Sequence, residues 1–116
     1  MNKSRRKQLI EVLGILTKLK DLTDCKEALS QLQYAENVLE NVVDEEQMAF
    51  ESLPENMQWS ARADVFTDNL DNLADAQVDL GLVVEAYQNA QESPYDEVKE
   101  DITSIIKNCT EAIERR

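Results

Sequence analysis

The side chains of this sequence with the clearest capacity for chemistry are carboxylates. Asp64, Asp68, Asp71, Asp75 and Asp79 follow one another at steps of four, three, four and four. On a helix that spacing lines five carboxylates along one face, with neighbours roughly 5–6 Å apart. Glu36, Glu40 and Asp44 repeat it at four and four. Paired carboxylates perform acid–base chemistry when a cleft drives their pKa values apart, and the surrounding pattern offers no obvious cleft. They hold calcium when a loop folds them around the ion, and no EF-hand loop is present. Histidine is absent, which excludes Ser-His and Cys-His nucleophile pairs and every histidine metal site. Cys25 and Cys109 match no metal or redox spacing and read as free thiols of a reducing compartment. The expectation is a protein that is not an enzyme, uses no cofactor and holds no metal.

A carboxylate row still needs a reason. Like charges at i,i+4 destabilise a helix by a few tenths of a kcal/mol per pair, and aspartate is a poorer helix former than glutamate. One reading is a solvated face that keeps a small protein soluble. The other is recognition. Duplex DNA also presents regularly spaced negative charge, and a basic groove made for phosphates would accept a rigid carboxylate row.

The elements that position the row are helical. Leu9, Ile10, Val12, Leu13, Ile15, Leu16, Leu19 and Leu22 give residues 1–22 a helical apolar face wide enough to need burying. Lys3, Arg5, Arg6 and Lys7 oppose the dipole at its start, so the first residues are expected to fray or to bind something acidic. Near Thr23 the apolar stripe rotates, and Asp24 with Glu27 resembles a capping box; a bend is expected there. Without it, the first helix would project with its apolar face bare and a homodimer would be needed to cover it. From Cys25 the steps Leu29, Leu32, Ala35, Leu39 and Val42 describe a helix of about 28 residues, roughly 42 Å long.

Pro54 pushes its predecessor out of the helical region, so this helix ends near Ser52 or Leu53. Pro54 to Trp59 has room for one turn of its own, and Ser60 is a good N-cap for the next helix. Met57 and Trp59 are the apolar residues of this corner. They either close the hairpin end against Phe50 and Phe66 or, for Trp59, form an exposed anchor for a partner. The next helix carries Phe66, Leu70, Leu73, Gln77, Leu80, Val84, Tyr87 and Gln91 at four-three spacing, the seam of an antiparallel bundle. Gly81 within it suggests close helix approach. Ser93-Pro94 opens a last helix with Val98, Ile102, Ile105, Cys109 and Ala112 on one side.

The fold class is therefore all-α: an antiparallel helical hairpin with flanking N- and C-terminal helices, a three- to four-helix up-down bundle in one domain, residues 1–116. No apolar run approaches the roughly 18 residues that cross a membrane. The basic N-terminus lacks the apolar stretch of a signal peptide, so a cytoplasmic location is expected. Net charge is −12, unevenly spread. Residues 1–26 hold seven of the twelve basic residues, whereas residues 27–101 hold nineteen acidic ones against only Arg62 and Lys99. That field disfavours direct binding to nucleic acid or to an anionic membrane.

The corner, Asp44-Glu45-Glu46-Gln47, Phe50, Leu53-Pro54-Glu55-Asn56-Met57-Gln58, Ser60 and Arg62, followed by Asp68-Asn69-Leu70-Asp71-Asn72-Leu73, resembles small acidic all-helical proteins encoded by phages and prophages of Gram-positive bacteria, most of them uncharacterised. The resemblance covers residues 40–80. It implies a mobile-element setting, where acidic proteins often inhibit host defence nucleases, and it carries over no functional residues. This chain departs from the pattern by a longer first helical region and by Trp59. The expected function is a protein-binding module, in its sharpest form an acidic DNA mimic that inhibits a CRISPR effector or restriction nuclease. Asp64, Asp68, Asp71, Asp75, Asp79, Glu36, Glu40, Asp44 and Trp59 would meet the partner, a protein with a basic nucleic-acid-binding surface. The alternative is an assembly protein that self-associates through coiled-coil helices.

Overall fold

A computed structural model describes residues 1–57 and 60–115. Four helices carry the chain: α1 (Lys3–Lys18), α2 (Cys25–Glu51), α3 (Ala61–Asn89) and α4 (Tyr95–Glu114), with no strand among the described residues. Their limits follow local chemistry. The Asn2 side chain accepts from the Arg5 N–H at 2.8 Å and starts α1. A short 3-10 turn over Leu19–Asp21 then ends the first helical run, and Asp24 caps α2 by accepting from the N–H groups of Lys26 and Glu27. Residues 22–24 are the expected bend. At the corner, α2 stops at Glu51, and a 3-10 turn over Glu55–Met57 follows Pro54, whose carbonyl accepts from Met57. Ser60 is the cap of α3, accepting from Ala63. The pair Ser93-Pro94 reads as a cap followed by proline at the first helical position, but α4 starts one residue later: Pro94 is its cap residue, and the Ser93 hydroxyl accepts from the Tyr95 N–H.

The bundle runs up-down-up-down. Each helix packs on its neighbours in order, and α1 meets α4 to close the ring. The body measures 53 × 20 × 20 Å. Most of the apolar face of the first helical run is covered: Leu9, Val12, Leu16 and Leu19 are buried in one continuous core with α2 and α4 residues, Leu13 and Ile15 are half-buried, and Ile10 is left exposed. The bend near Thr23 folds α1 back on the hairpin, so no second chain is needed to cover that face.

Three details of the expected seam are corrected. The buried residues of α3 are Ala63, Phe66, Asn69, Leu73, Ala76, Leu80, Val83, Val84 and Tyr87; Phe66, Leu73, Leu80, Val84 and Tyr87 of the expected seam are among them, whereas Asn69 and Ala76 take the places of Leu70 and Gln77, which are half-buried. Gln91 lies beyond the end of α3 and is exposed. A methyl group added at Gly81 would meet only Glu36 Oε2, at 4.0 Å, so no close helix approach requires this glycine.

Candidate partner-binding face

Seven residues of α3 form a second line on the side away from the core: Asp64, Asp68, Asp71, Asp75, Val78, Leu82 and Glu85. Their steps are four, three, four, three, four and three, and none is buried. Such steps keep side chains on one face of a helix of 3.6 residues per turn. Asp64, Asp71 and Asp75 are exposed. Asp68 leans toward the end of α4, where its Oδ2 lies 2.6 Å from an Arg115 guanidinium nitrogen. Asp79 is half-buried, one step off the line.

The second carboxylate row lies on α2, the antiparallel neighbour of α3. Glu36 borders the α2–α3 seam, with Gly81 opposite it, while Glu40 and Asp44 are exposed farther along the same helix. The fold thus places both rows on adjacent helices of one hairpin. Trp59 lies outside the described residues. Among those residues, no group of His, Cys, Asp or Glu side chains is arranged to hold a metal ion, and no helix is long and apolar enough to cross a membrane.

Magnitudes decide what the row can imitate. Duplex DNA carries one charge per ~1.7 Å of axis and one per ~3.4 Å along each strand. The four aspartates of the line, positions 64 to 75, span roughly 17 Å at 1.5 Å per residue, about one charge per 5 Å. Its charge density is below that of a single strand and well below that of a duplex.

The apolar pair on the same line escapes a search for charge alone. Val78 is 66% and Leu82 50% exposed, where α3 could have continued the aspartate pattern. Ile10, Tyr34 and Met48 are also exposed, but Val78 and Leu82 continue the line of the aspartates. Their spacing from Asp75, three and then four, was the available signal.

A polar cluster lies inside the corner end of the bundle. Arg5 from α1 reaches Glu46 of α2, Nε to Oε1 3.4 Å, and Asn69 of α3 completes the group; all three are buried. Burial pushes the Glu46 carboxyl above the ordinary glutamate range, and the Arg5 charge opposes that shift without cancelling it. Geometry gives the reason: neither Glu46 oxygen accepts a hydrogen bond of good geometry from the protein. Of the four basic residues at the start of α1, Arg5 is the one with an acidic partner among the described residues.

Comparison with protein-family models, with curated proteins and with solved structures gave no match.

Proposed function

We propose that this chain is a protein-binding module that presents the outer face of α3 to a cationic surface of the kind that otherwise holds nucleic acid. The observation that carries this reading is the continuous line from Asp64 to Glu85, in which exposed aspartates lead into exposed Val78 and Leu82. The acidic part steers and orients a basic partner, and the aliphatic pair supplies desolvated contact area. The same field repels nucleic acid itself. Together with the phage-like corner, this supports an inhibitor carried by a mobile element and directed at a host nucleic-acid-handling protein such as a CRISPR effector or restriction nuclease.

The test is affinity capture from host lysate with the wild-type chain and with a D71N/D75N variant. Proteins retained by the wild type, released by heparin and lost with the variant are the expected result. A captured set that neither heparin nor the variant alters would refute the reading.

One observation favours a second reading, self-association. The outer face of α1 carries exposed Lys3, Lys7 and Ile10 at the spacing of Asp71, Asp75 and Val78. A second copy docked in parallel would pair the three in register. Its mark is concentration-dependent association of the pure protein at low salt, absent from a protein that binds only a foreign partner.

A further inference from the structure

We propose that the cleft at the corner end of the bundle binds a small amphipathic anion, an oxyanion head carried on an apolar body. This open cleft, of about 610 Å³, lies between the first turns of α1 and α3. That volume falls within the range of small-molecule sites. Arg5, Arg6 and Arg62 line it together with Met1, Val65 and Phe66, so three of the five arginines of the chain converge on one place.

Their pairing sets them apart. In a chain with 24 acidic residues, no carboxylate among the described residues comes within ion-pair distance of Arg6 or Arg62. Arg5 is nine-tenths buried and meets Glu46 only through Nε. Its two terminal guanidinium nitrogens make no hydrogen bond or ion pair among the described residues, and the side chain lines the cleft. A guanidinium offers parallel N–H donors that match carboxylate and phosphate oxygens. Apart from Asn2, whose side chain caps α1, the rest of the cleft wall is apolar, with Met1, Val65 and Phe66 able to take a hydrocarbon or aromatic body. The α3 end adds weak positive potential from its first N–H groups, of which the Ser60 hydroxyl satisfies that of Ala63. The acidic faces of the protein oppose an incoming anion, but at physiological salt that opposition decays over about 8 Å.

Calorimetry and methyl NMR on the full chain test this with four probes: octanoate and octyl phosphate, which carry head and tail; inorganic phosphate, head only; and octanol, tail only. The expected result is saturable binding of octanoate or octyl phosphate, at least tenfold tighter than either half-probe, with the tighter of the two identifying the head group. The Val65 methyl signals should shift with the same saturation curve. R6Q/R62Q, which touches neither the core nor the Glu46 pair, should keep the helical spectrum and lose at least tenfold in affinity. Equal binding of inorganic phosphate or of octanol, full affinity in R6Q/R62Q, shifts confined to residues away from Val65, or no saturation by millimolar probe would each overturn the proposal. If R6Q/R62Q fails to fold, the wild-type probe comparison and the Val65 shifts still decide it.

Discussion

Neutralising the middle of the aspartate line should stabilise the protein. Asp71 and Asp75 are exposed, lie in the interior of α3 and take part in neither ion pair found among the described residues. Asp64 is best left in place, because a carboxylate in the first turn favours the helix dipole. Asp68 is also kept, since it holds Arg115. Changing Asp71 and Asp75 to asparagine removes three like-charge neighbours, 68/71, 71/75 and 75/79. Each is worth about 0.2–0.5 kcal/mol, while asparagine and aspartate have similar helix propensities. Arg115 already offsets part of the Asp68 charge, so the gain should be about 1 kcal/mol. Unfolding entropy of roughly 2.1 cal/mol/K per residue, over 116 residues, converts that to about 4 °C in Tm. Thermal melts followed by circular dichroism at 20 mM and 1 M NaCl are the assay. At 1 M the Debye length is only about 3 Å, so the difference between variant and wild type should shrink markedly. A variant that is less stable than wild type at low salt, or a gain that salt leaves untouched, would refute the reasoning.

Gly81→Ala should stabilise by about 1 kcal/mol, the helix-propensity difference, because the added methyl meets only a carboxylate oxygen at contact distance; urea denaturation with an unchanged m-value checks this. Glu46 has a raised folded pKa, so the stability linked to its proton is complete below the ordinary glutamate pKa and is lost as pH rises through the folded value. Glu46→Gln, a permanent stand-in for the protonated form, should therefore be more stable than wild type at pH 7. That advantage should fade as pH falls into the ordinary carboxylate range, as stability curves over pH 4–8 will report. Burial pushes the Cys109 thiol up to about 12, while Cys25 is only half-buried. A thiol reagent at pH 8 should label Cys25 first and Cys109 only on unfolding, with two labels in denaturant.

Where local chemistry dictates structure, the sequence was legible. Asp24, Pro54 and Ser60 act within three residues of themselves, and each ends or starts an element where its type requires. The aspartate line was equally plain, since helical spacing alone puts it on one face. What was hidden depends on partners distant in the chain. The buried line of α3 passes through Asn69, a polar residue that the pattern steers away from the core; it is buried with Arg5 and Glu46, which lie 64 and 23 positions away, and neither atom of its amide has a hydrogen-bond partner among the described residues. That displaced the expected seam toward Leu70 and Gln77. Gly81 looked like a contact point because glycine in a helix usually has a packing reason, yet here only a carboxylate stands opposite. Nothing in the pattern sets Val78 and Leu82 apart, because aliphatic residues in a bundle helix usually face inward. Only the orientation of α3 against α2 and α4 turns them outward.

The central claim is that the line from Asp64 to Glu85 recognises a partner and does not merely solvate the bundle. Its most direct test is the affinity of a captured partner for wild type, D71N/D75N and a V78S/L82S variant at 50 and 300 mM salt. D71N/D75N should bind at least tenfold more weakly at 50 mM, with a flatter salt dependence, although its fold is more stable. V78S/L82S should lose affinity at both salt concentrations, since apolar contact is not screened. Wild-type affinity and wild-type salt dependence in both variants would contradict the account.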